Sequence, residues 1–136
     1  MPTASHTFAL AVYGAPFSSQ ASYSALNFAH ALQREGHQLT QVFFYQDAVY
    51  HAHQQTHPPQ DEVHLTQAWQ KLAQSTQAEL LVCVAAAVKR GIFDTQEAQR
   101  YQDAHANLAQ GFQLVGLGQL LDALHTQDRL IVFGGA

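Results

Sequence analysis

Cysteine is nearly absent from this chain: Cys83 is the only one in 136 residues. A lone thiol cannot form an internal disulfide, so a disulfide-framed secreted scaffold is excluded and a reducing, cytoplasmic setting is the natural default. Charge is also scarce, at 12% of residues with a net charge of −4. The six Lys and Arg form no run, and Lys89-Arg90 is the only basic doublet. That argues against tight, direct binding to nucleic acid, which needs a basic patch. No run of about 18 apolar residues occurs, so no segment is expected to span a membrane. The opening Met1-Pro2-Thr3-Ala4-Ser5-His6 lacks the basic region and apolar stretch of a signal peptide. Internal repeats and low-complexity linkers are missing too, so residues 1–136 are expected to form a single domain.

What is present is a set of short apolar runs, within a composition that is 47% apolar. Thr7 to Tyr13, Gln38 to Tyr45, Glu79 to Val84, Phe112 to Val115 and Leu130 to Phe133 read as five strands. Between them lie helical spacings. Ala25, Leu26, Ala29 and Leu32 mark a helix capped by Ser18 or Ser19 and stopped at Gly36. Leu65, Ala68, Trp69, Leu72 and Ala73 mark a second, with Asp61 as its cap. Asp94 and Glu97 suggest a capping box opening a helix that runs to about Leu108. Leu117, Leu120, Leu121 and Leu124 mark the last. Alternating strands and helices demand crossover connections. The predicted fold is therefore α/β, a mostly parallel five-stranded sheet with helices on both faces, in a flavodoxin-like arrangement. In such a sheet the functional crevice lies outside the carboxyl ends of the strands.

Cys83 sits near the carboxyl end of the third strand, followed by Val84-Ala85-Ala86-Ala87-Val88-Lys89-Arg90. If these residues begin a helix, its free N–H groups point toward the sulfur and favour the thiolate, the nucleophilic form. Lys89 and Arg90 add positive potential if they fold back. Position alone leaves the ordinary reading open, because cysteine often serves as a small buried hydrophobe.

A resemblance bears on that choice. Cys83-Val84-Ala85-Ala86-Ala87-Val88-Lys89-Arg90-Gly91-Ile92-Phe93-Asp94 resembles the cysteine segment of the TusD-type sulfurtransferases of the DsrE family. Val42-Phe43-Phe44-Tyr45 with Val49-Tyr50, Ala68-Trp69-Gln70-Lys71-Leu72, Gln110-Gly111-Phe112 and Gly116-Leu117-Gly118 resemble other parts of that family in register, from about Phe8 to Phe133. The resemblance implies a DsrE-like fold and a sulfur relay in which Cys83 is the catalytic residue and carries sulfur as a persulfide. It implies TusB-like and TusC-like subunits in a heterohexamer, a TusA-like sulfur donor and a TusE-like acceptor. The sulfur then ends in 2-thiouridine at the tRNA wobble position, with tRNA touched only indirectly. Neither cofactor nor metal is expected. The single cysteine fits a relay, since no second thiol can attack the persulfide from within the chain. Departures from the family pattern fall at the His-rich loop and at the Gly134-Gly135-Ala136 tail. A subunit of dissimilatory sulfur oxidation, a scaffold subunit with an inert Cys83, and a flavodoxin-like ligand-binding module stand as alternatives.

Other residue patterns have ordinary explanations. His51, His53, His57 and His64 are dense enough to suggest a metal, yet no cysteine lies nearby, and a solvated loop or one covering the Cys83 crevice is favoured. Gly14 to Ser19 and Gly116-x-Gly118 lack the residues of a phosphate cradle, and the latter is expected to permit tight packing. Tyr45 and Tyr50 fall on the same rim as Cys83, where Tyr50 could line the sulfur pocket, a subunit contact or the core.

Overall fold

The computed structural model describes residues 4–102 and 105–134. Five strands form one sheet in the order β4-β3-β2-β1-β5: β1 Thr7–Val12, β2 Gln38–Phe44, β3 Glu79–Cys83, β4 Phe112–Val115 and β5 Arg129–Phe133. Every neighbouring pair is parallel. The helices are α1 Ala21–Arg34, α2 Leu65–Thr76, α3 Val84–Lys89, α4 Thr95–Arg100 and α5 Gly118–Thr126. A 3-10 segment, Gln46–Ala52, follows β2.

From β1 to β4 each step moves the same way across the sheet, whereas β4 to β5 returns past β1. Right-handed crossovers then put α1, α2, α3 and α4 on one face and α5 alone on the other. The register sorts the side chains accordingly. Leu10, Val42, Leu80 and Phe112 stand in one row, with Val12, Phe44, Val82 and Leu114 in another on the same face. Trp69 of α2 packs edge-on against Phe44, and Phe44 against Phe112, so this face holds the main core. The Trp69 Nε1–H donates to Ser22 Oγ at 3.1 Å, which satisfies the one polar atom that this large ring carries inward. The opposite face carries Ala11, Phe43 and Leu81 in register and belongs to α5.

Several local expectations change. α1 starts after Gln20 without a side-chain cap, although Ser19 Oγ accepts from the Ala21 N–H at 3.1 Å. Gly36 does end the helix, at φ 81°. The α2 cap is His64, whose Nδ1 accepts from the Gln67 N–H at 3.3 Å, rather than Asp61, which is exposed. Asp94 caps α4 as expected, accepting from the Glu97 N–H at 2.8 Å. That helix ends at Arg100 rather than near Leu108. The Asn107 side chain accepts from Phe93 N–H and donates to Gly91 O, while Leu108 pairs with His53, so this stretch is tied to neighbouring chain instead of coiling. Asp103 and Ala104 within the expected helix, the Gly135-Ala136 end of the tail, residues 1–3 and the Leu124 side chain lie outside the description.

The histidine-rich region divides. His51 is 1% exposed, packed against Phe44, and its Nδ1 donates to Ala48 O at 2.7 Å. His57 is exposed. Among the described residues, no group of three or more metal-type side chains converges. Burial lowers the His51 pKa from 6.5 to about 4, against the Ala48 hydrogen bond that raises it. Between those values the unfolded chain binds a proton that the folded chain refuses. Stability is therefore expected to be full above about pH 6.5 and to fall by roughly 3 kcal/mol as the pH drops toward 4. Urea unfolding across that range checks this. His51→Asn keeps a donor for Ala48 but does not titrate, and is expected to flatten the slope.

Candidate active site

β3 ends at Cys83, which serves as the N-terminal flanking residue of α3 at φ −61°, ψ 117°. The strand leads into the helix with no intervening loop. Strand alternation and the pairing of Cys83 with Val115 put the thiol on the α5 face of the sheet, opposite the Trp69 core. The residue is only 2% exposed. It nevertheless contributes to the wall of an open cleft of about 420 Å3, together with Tyr45, Gln46, Asp47, Ala85, Ala86, Lys89, Arg90 and Leu117.

Each wall comes from a different element. Tyr45 follows β2 and packs edge-on against Tyr13, which follows β1, at 5.5 Å between ring centres. Gln46 has φ 54°, a left-handed conformation that side chains rarely adopt and that turns the chain sharply from β2 into the 3-10 segment. That turn presents Asp47 to the cleft. Leu117, 48% exposed, comes from the β4–α5 connection. Gly116 and Gly118 on either side of it face open space, so the expected tight packing there is not found. Close approach occurs instead at Gly14, where an added Cβ would collide with the Ser19 side chain and come within 2.8 Å of the Ala21 Cβ.

The two basic residues behave differently. Arg90 turns back along α3: its Nη1 donates to Ala86 O at 3.1 Å and its Nε to Asp47 at 2.9 Å. Lys89 lines the cleft but is exposed, and no ion pair to it occurs among the described residues. Tyr50 is an exposed residue outside the cleft wall, so of the two tyrosines only Tyr45 joins Cys83. His51, His53 and His57 are likewise absent from that wall. Gln46, Asp47 and Leu117 went unrecognised as site residues in the sequence. The signal available for the first two was their place at the carboxyl end of the strand beside β3.

The arrangement offers one soft nucleophile beside a partly charged, solvent-open cavity, with no second thiol in the chain. An external thiol or sulfur compound has room to approach, but the neighbouring side chains govern its access to Sγ. Leu117→Ala trims an exposed wall residue and is expected to raise the rate of Cys83 alkylation by iodoacetamide several-fold. The change in stability should stay within about 0.5 kcal/mol, measured by urea unfolding.

Comparison with known proteins extends this picture. The model of the DsrE/DsrF-like family matches residues 6–133. A protein named Sulfurtransferase TusD from Salmonella newport (strain SL254) is 49% identical over 126 residues, 93% of this chain and 98% of that protein. A protein of the same name from Enterobacter sp. (strain 638) is 48% identical over the same shares. Among solved structures, the YchN protein from E. coli superposes with a TM-score of 0.76 at 19% identity, covering 94% of this chain and 99% of that one, which supports the shared fold.

Proposed function

We propose that this chain, which belongs to the DsrE/DsrF-like family, is a sulfurtransferase subunit that holds sulfane sulfur as a persulfide on Cys83 and relays it to a partner thiol. The observation that carries the reading is near-full-length identity of 49% to a protein named as a sulfurtransferase, in a chain whose sole thiol borders an open cleft. The chemistry is thiol–persulfide exchange. A thiolate attacks sulfane sulfur, the donor thiolate leaves, and the transferred atom departs later to another thiol. With no second cysteine, the sulfur has no exit within the chain.

The relay reading brings partners with it: TusB-like and TusC-like subunits in a heterohexamer, a TusA-like donor, and a TusE-like acceptor leading to wobble 2-thiouridine. Names of relatives support a relay of this kind, and the lone free thiol suits a cytoplasmic setting. No helix among the described residues is long and apolar enough to cross a membrane. A second reading, a scaffold subunit with an inert cysteine, is favoured by one observation, the 2% exposure of Cys83.

Intact-protein mass spectrometry after exposure to a sulfur-charged TusA-like donor separates the two. The parent is expected to gain one reducible sulfur atom. Cys83→Ser, which replaces a buried sulfur by a hydroxyl of similar shape, is expected to stay folded and gain none. An unchanged parent mass, with slow alkylation of the thiol, establishes the scaffold reading instead.

A further inference from the structure

The Cys83 cleft has two cations in its wall, and among the described residues only Arg90 has side-chain partners that hold it in place. Arg90 Nη1 donates to the carbonyl of Ala86, four residues earlier in α3, and Arg90 and Cys83 line the same cleft. Asp47 accepts from Nε on the other side at 2.9 Å. A guanidinium carries five N–H groups. The bonds to Ala86 and Asp47 use Nη1 and Nε, and Nη2 has no assigned partner among the described residues. The Asp47 carboxylate comes from the sharp turn at Gln46, so a strained backbone position delivers the group that fixes the arginine.

The burial of Cys83 gives this arrangement its significance. Sγ is almost fully covered, but a persulfide extends the side chain by one S–S bond, about 2 Å. The atom that enters the cleft is then the outer sulfur. Resting on the sulfur-transfer reading above, we infer that Arg90 binds the outer sulfur anion of the Cys83 persulfide, and that Asp47 is the positioning residue that holds the guanidinium in the cleft wall.

The exchange balances without an oxidant or reductant. The Cys83 thiolate attacks the outer sulfur of a protonated donor persulfide. The Sγ–S bond forms as the donor S–S bond breaks, and the electron pair of the broken bond leaves with the donor sulfur. That sulfur takes up the persulfide proton, and the negative charge remains on the new outer sulfur at Cys83. A charge-assisted hydrogen bond from Arg90 holds the charge there. Lys89, solvated and unanchored, contributes only a screened field.

The test loads the full chain with inorganic polysulfide and follows the bound sulfur by intact mass. In parallel, the alkylation rate of the unloaded thiol is compared between anionic iodoacetate and neutral iodoacetamide. Arg90→Gln is expected to retain about tenfold less sulfur and to lower the iodoacetate-to-iodoacetamide rate ratio. Asp47→Asn shifts both readouts the same way by less, and Arg90→Lys restores part of the ratio. A purely structural Arg90 changes both alkylation rates together and leaves their ratio alone, which overturns the inference. If Arg90→Gln does not fold, Asp47→Asn and Arg90→Lys carry the comparison, and parent-like values in both overturn it as well. A parent that takes up no sulfur defeats the sulfur-transfer reading itself. A parent that loads normally beside an equally loaded Arg90→Gln defeats only the role given to Arg90.

Discussion

All five strands run in one direction, and the position of every candidate residue depends on that constraint. Parallel strands cannot be joined by tight turns, so each must be followed by a crossover that returns the chain to the opposite edge. Every strand therefore delivers its last residue to the same edge of the sheet. Tyr13, Tyr45, Cys83 and Leu117 are distant in sequence but meet there because each stands at or just past a strand end. The strand order reverses between β1 and β5, yet Cys83 lies two strands away, on β3. The site uses the carboxyl edge of the sheet without using its switch point.

Cys83 borders the cleft but is nearly covered, and this tension bears on the proposed sulfur exchange. Core packing favours a small apolar group at the end of β3, and sulfur meets that need. Exchange with another thiol requires in-line approach to the same atom. The cleft between the 3-10 segment, α3 and the β4–α5 connection offers a compromise, since an added outer sulfur projects further than the thiol itself. The Asp47–Arg90 pair ties two of these walls together. Asp47 is largely exposed, so the pair contributes little to global stability, and the role proposed for it is to orient Arg90.

Much of the fold was legible because strand and helix signals here are strong and short-range. The apolar runs that supply the five strands are short and continuous, and the spacing around Leu26 and Trp69 follows the helical period closely. The differences arise where side-chain geometry or a distant contact overrides composition. Asp61 has the composition of a cap, but His64 is the residue that accepts the helix N–H. The segment after Arg100 has polar residues compatible with a helix, yet Asn107 and Leu108 are claimed by Gly91, Phe93 and His53. The histidines looked like one cluster on the page, although His51 is a neutral core residue and His57 faces solvent.

The sequence by itself determined the fold class, through periodicity, and limited the proposed nucleophile to Cys83, because a chain with one cysteine offers no other thiol. It also singled out the doublet Lys89-Arg90 without distinguishing its members. Only the tertiary structure decided that Arg90 is anchored while Lys89 has no ion pair among the described residues, because the anchor, Asp47, is 43 residues away and arrives through a turn at the end of a neighbouring strand. It likewise decided that Tyr45 and Leu117 line the cleft and Tyr50 does not. Local pattern specifies which face of a strand or helix is apolar. Which side chains meet at a sheet edge depends on strand order and register, which are set by packing across the whole domain.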